Sequence, residues 1–306
     1  MRPESVPMNR SEIRSEAEIE ALTRNVLGRV PVLRQRLQEL GSTPSIDPGS
    51  IAGIDQRDPL GHHVWEHALQ ALGAADDLIE TWRLVYLANI RPATGHVVLL
   101  RTVLETATLT RWLVDLTLSP EDRVRRGILA HLADCDERAR FEAVFDRTRI
   151  TVTPPAKWGE DRLAELIAEC KRRDIRVTDA KGEPLRPDSA TNRCAAYAHA
   201  PAFGGGAAYR MLSAFAHGHQ WTLPFLTREL HPEIPTPTDA IITKVSFDPA
   251  VMAAATDWGV MTFAEALNDV LRYIQPAASP AASMRLQKRP VPPNRSQRRQ
   301  ARRNSP

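Results

Sequence analysis

Two groups of residues in this chain have types and spacings that could do chemistry. The first is Arg210 and His217, within AAYRMLSAFAHGHQW at 207–221. Seven residues apart on a helix, they would lie on one side, two turns apart, with a rise of about 10 Å. Ser213 and Ala214 between them are small, so a ligand could approach closely. A histidine can carry a proton near neutral pH, and an arginine stabilises charge that builds on a phosphate. That combination suits metal-free cleavage of RNA. The second group is His62-His63-Val64-Trp65-Glu66-His67. On a helix His63 and His67 share a face and could bind zinc, with Glu66 as base.

Several resemblances follow from these residues. R-M-L-S-A-F-A-H resembles the R-x4–6-H motif of HEPN-domain ribonucleases, helical bundles that pair so that two motifs share a cleft. The likeness implies Arg210 and His217 as catalytic positions and a homodimer. It departs from that family at Met211, where a polar residue is usual. L-R-T-V-L-E-T at 100–106, followed about a hundred residues later by Y-R-M-L-S-A-F-A-H-G, looks like an uncharacterised bacterial helical family of the DUF5677 type. That likeness implies that Arg101, Glu105, Tyr209, Ser213 and His217 converge. H-x-x-E-H is also the inverted zinc-peptidase motif, but that family needs a mixed α/β domain whose strands this chain lacks. LAHLADCDE at 129–137 is similar to the H-L-A-D segment of DinB-like helical bundles, which bind metal through three histidines. His131 would match, with His217 and His219 completing the triad. On the sequence alone no metal ligand set and no cofactor is assigned, and the polar group around Arg101 reads equally as a structural network in a binding or scaffold protein.

The chain has 306 residues, 42% hydrophobic and 25% charged, which is long enough for a sizeable core and typical of globular proteins. Three separated cysteines, Cys135, Cys170 and Cys194, imply neither a disulfide framework nor a cysteine metal pair, and suggest a cytoplasmic protein. The apolar window 97–118 carries Arg101, Glu105, Arg111 and Asp115, too many charges for a lipid-facing helix. The net charge of +3 is uneven, because eight basic residues crowd into 285–306. Arg295, Arg298, Arg299, Arg302 and Arg303 in that tail are the expected contacts for RNA phosphates.

The elements that must position these residues are helical. Apolar residues recur at helical spacing over 15–41, 58–90, 93–118, 119–147, 157–173 and 189–200. Asp58-Pro59, Ser119-Pro120 and Asp248-Pro249 read as helix starts, the last opening a helix to about 274. Within 93–118 the polar residues Arg101, Glu105, Thr108, Trp112 and Asp115 form one seam in an apolar body. Residues 175–177 suggest a short strand, and 241–247 alternates as a clear one. The expected architecture is all-α: a bundle of six to eight helices with one minor strand. Residues 1–56 read as an N-terminal helix and linker, 57–274 as the bundle, and 275–306 as a disordered basic tail.

Overall fold

The computed structural model describes residues 15–41, 46–90, 95–148, 158–217, 227–235 and 241–276. It is a helical bundle. The expected first helix is two: α1 (Glu16–Leu27) and α2 (Val30–Gly41). Pro31 explains the break, since it has no N–H for the carbonyl of Leu27 and its ring crowds that turn. Next come the short α3 (Ile51–Asp55), α4 (His62–Leu87), α5 (Gly95–Leu113), α6 (Pro120–Thr148) and α7 (Trp158–Arg172). Then α8 (Ala190–Tyr197), α9 (Gly205–Ala216) and, after a two-stranded ribbon, α10 (Pro249–Ile274) complete the described chain. Ser15, Ser119 and Asp248 each accept a backbone N–H at the start of the helix they precede.

Asp58 does not start α4. Its carboxylate accepts the Leu60 N–H at 2.8 Å and is held by Arg173 just past the end of α7, and α4 begins at His62. The strand at 241–247 is present as β2 (Ile241–Phe247). It pairs antiparallel with β1 (Thr227–Pro235), from Thr227↔Phe247 to Pro235↔Ile241. The ladder is irregular around Pro232, which cannot donate. Residues 175–177 form no strand; nearby there is only an isolated bridge between Thr178 and Pro184.

One large core gathers Trp82, Leu100, Leu104, Phe263, Leu267 and Tyr273, all buried. Each such side chain contributes roughly 1.5–3 kcal/mol of transfer free energy. Val26, Leu27, Val30, Leu33 and Leu40 of α1 and α2 lie in the same core. A second, smaller core lies between α6 and α7, built from Val124, Ile128, Leu132, Leu166, Cys170 and Val177 with Leu60. Among the described residues, no helix is long and apolar enough to cross a membrane. The tail from 277 on lies outside the described residues, and with it the five arginines expected to meet RNA.

Candidate metal centre

Helices α4 and α6 touch where Gly127 meets Val64. A Cβ on Gly127 would lie 2.7 Å from the Val64 backbone nitrogen, so only glycine allows this approach. His131 follows Gly127 by one helical turn and therefore emerges on the same face of α6, against α4. His63 and His67 are four apart on the facing side of α4. The result is a three-histidine cluster: one ring nitrogen from each of His63, His67 and His131 lies within 4.8 Å of the others. His67 Nε2 is 3.3 Å from His131 Nδ1. Nitrogens bonded to one tetrahedral zinc at about 2.1 Å sit about 3.4 Å apart, so this pair already has the required separation. The His63 and His131 rings stack, with centroids 4.1 Å apart.

The cluster is short of hydrogen bonds. Among the described residues, both ring nitrogens of His63 and Nε2 of His131 are buried without a partner. His63 is 2% exposed. A buried unpaired polar atom costs roughly 1–3 kcal/mol, so three of them in one place need a reason. The electrostatics agree with a ligand set. Burial, then the neighbouring histidines, pushes His63 down from 6.5 to about 3. Burial, then His67, pushes His131 down to about 4. His67 is also lowered by burial, against the opposing pull of Asp134 and Glu66. All three imidazoles are therefore neutral near pH 7, which is the form that binds a metal. A cleft of about 270 Å³ opens beside them, lined by His67, His131, Glu66, Asp134, Cys135 and Arg138 among others. The Arg138 guanidinium lies 3.9 Å over the Trp158 ring, and both line the cleft. Asp134 Oδ2 is 3.4 Å from His67 Nδ1, and Glu66 Oε2 is 3.8 Å from His63 Nδ1.

The sequence divides this cluster between two unrelated motifs and assigns no metal ligands. Each motif supplies part of the site. The H-x-x-E-H segment does place His63 and His67 on one face, and His131 does sit in a histidine triad. Its partners are His63 and His67, whereas His217 follows α9, which packs on α5 and α8. His219 lies outside the described residues. The missed signal is Gly127, four residues before His131, where a small residue marks a close helix crossing.

Helix α9 carries Arg210 and ends at its C-cap, His217. Both residues are exposed, and the His217 N–H still bonds back to the preceding turn of α9 at 3.0 Å. Among the described residues, Arg210 makes no ion pair. The convergence around Arg101 is present in part. Arg101 donates to Tyr209 Oη at 3.2 Å, Tyr209 donates to Glu105 at 3.4 Å, and Arg101 pairs with Glu105 at 3.4 Å. Ser213 contributes its carbonyl to the His217 N–H.

The whole polar seam of α5 is answered by α8, α9 and the residues before α8. Thr108 meets Cys194, Trp112 donates to Asp188, and Asp115, just past the helix end, accepts from Tyr197 at 2.6 Å. Arg111 adds Asp269 and Glu265 of α10. These contacts tie the helices to one another. In comparisons with known proteins, no family model, no curated protein and no solved structure matches this chain.

Proposed function

We propose that this protein binds a divalent transition-metal ion through His63, His67 and His131, and that the neighbouring cleft admits a small ligand to that ion. One observation carries the reading: three imidazoles from two helices meet within 4.8 Å, with buried ring nitrogens that have no hydrogen-bond partner among the described residues. Imidazole ligands favour zinc, nickel, copper or iron over magnesium or calcium. His67 and His131 line the cleft, so a fourth coordination position would face it. With three protein ligands and one open position, a bound ion would act as a Lewis acid on a water or a small substrate. This is the metal-dependent reading that LAHLADCDE suggested, with His63 and His67 in place of His217 and His219.

The test is elemental analysis and zinc calorimetry on protein purified without a histidine tag. One ion per chain is expected, lost in His63→Ala and in His131→Ala and kept in His217→Ala. Wild-type protein that gives no heat with zinc refutes the proposal.

A second reading, metal-independent RNA cleavage, is favoured by the exposure of both Arg210 and His217. It calls for cleavage that survives EDTA, leaves 2′,3′-cyclic phosphate ends and disappears in Arg210→Ala. Intact RNA after incubation would end it.

A further inference from the structure

A neutral imidazole binds a metal only through its unprotonated nitrogen, so a three-histidine centre works only if each ring holds the right tautomer. What sets the tautomer is the partner of the other nitrogen. Two carboxylates stand in that place. Asp134 on α6 lies 3.4 Å from Nδ1 of His67 on α4, on the side of the ring away from His131, which faces Nε2. Glu66, one turn after His63, lies 3.8 Å from Nδ1 of that ring. A carboxylate is a pure acceptor, so each of these nitrogens is favoured as the N–H and the opposite one as the lone pair.

Resting on the metal reading above, we propose that Asp134 and Glu66 are positioning residues of the centre: they hold the Nδ1–H of His67 and His63, so that both rings offer Nε2 to the ion. Closing the His63–Glu66 gap from 3.8 Å to hydrogen-bond length takes a small side-chain rotation, which the exposed Glu66 is free to make. The role differs from that of the glutamate in the inverted zinc-peptidase motif, where it is the base. It also differs from a ligand role. Glu66 does fall with His62 and His63 in a second group of potential donors. His62, however, already directs Nδ1 to the Pro59 carbonyl at 2.9 Å, and Glu66 serves the orphaned nitrogen of His63 without a second ion.

The experiment titrates the full chain with Zn²⁺ and with Co²⁺, following heat and the visible cobalt band, for wild type, Asp134→Ala, Glu66→Ala, Asp134→Asn and Glu66→Gln. Each alanine variant is expected to lose affinity by about 10–100-fold. The amide variants, which keep an acceptor oxygen, should recover part of it. The two carboxylates are 63% and 62% exposed, so metal-free melting curves should overlay that of wild type. Nitrogen-15 spectra of labelled histidine in the zinc-loaded protein should show Nδ1 protonated in His63 and His67. Affinities within about twofold of wild type would overturn this inference and leave the metal centre standing. Two ions per chain, one lost with Glu66→Ala, would overturn it for Glu66 by making that residue a ligand. A wild-type chain that binds neither metal would remove the centre itself.

Discussion

Gly127→Ala tests the architecture beneath the site. In an exposed helix this change should stabilise, because alanine is favoured over glycine by about 1 kcal/mol. At Gly127 the new Cβ would sit 2.7 Å from the Val64 backbone nitrogen and 3.0 Å from its Cα. Ordinary contact begins near 3.4 Å, so α6 must withdraw from α4 by about 0.7 Å. The obstacle is backbone, which cannot swing aside. Overpacking of this kind costs roughly 1–3 kcal/mol, enough to cancel the propensity gain or reverse it. The withdrawal falls one turn from His131, so it should also widen the 3.3 Å gap between His131 and His67. Gly73, on the same α4, has nothing within 4 Å of its would-be Cβ and serves as the control. Denaturant unfolding should find Gly73→Ala more stable than wild type by up to about 1 kcal/mol and Gly127→Ala less stable than Gly73→Ala by roughly 1–3 kcal/mol. Zinc affinity should fall only in Gly127→Ala. Two variants of equal, raised stability would refute the close crossing, and with it the stated reason for the cluster.

Two further outcomes follow from buried charge and from the histidines. Arg123 and Asp55 are 4% and 0% exposed in a two-pronged pair at 2.8 and 2.9 Å, and Tyr273 also donates to Asp55. Asp55→Ala should therefore cost about 3–5 kcal/mol by stranding the guanidinium, whereas Glu105→Ala, whose carboxylate is 33% exposed, should cost under about 1 kcal/mol in the same unfolding assay. Metal-free protein should lose stability as pH falls from 6.5 toward 3: the unfolded chain takes up protons at the ordinary histidine value, while native His63 and His131 resist until about 3 and about 4. His63→Phe should flatten that slope, and an unchanged slope would count against the buried neutral ring.

The helices were legible because their signals are local. Ser119-Pro120 and Asp248-Pro249 announce helix starts within four residues, and apolar spacing marks the buried faces. The polar seam of α5 was legible as a pattern, since Arg101 to Asp115 share one side, but not its partners, which come from α8, α9 and the residues before α8. The pairing of Arg101 with Glu105 and Tyr209, leaving Arg210 in solvent, follows from how α9 rotates on α5, which spacing does not encode. The histidine cluster was hidden for the same reason. His67 and His131 are 64 residues apart, and no periodicity states that α6 returns alongside α4.

The second core has a further consequence. Helix α6 turns most of its apolar face to α7, with Ile128 and Leu132 gathered beside Leu166 and Cys170, while α4 belongs to the large core. The three histidines lie where the helices of these two cores meet. Amide protons of α6 and α7 can then exchange through a partial opening that leaves the large core intact. An ion shared by His131 and the two histidines of α4 would rivet the two cores together and slow that opening by its own binding free energy. Metal occupancy would thus be written in the exchange rates of a layer that, apart from His131, contributes no ligand.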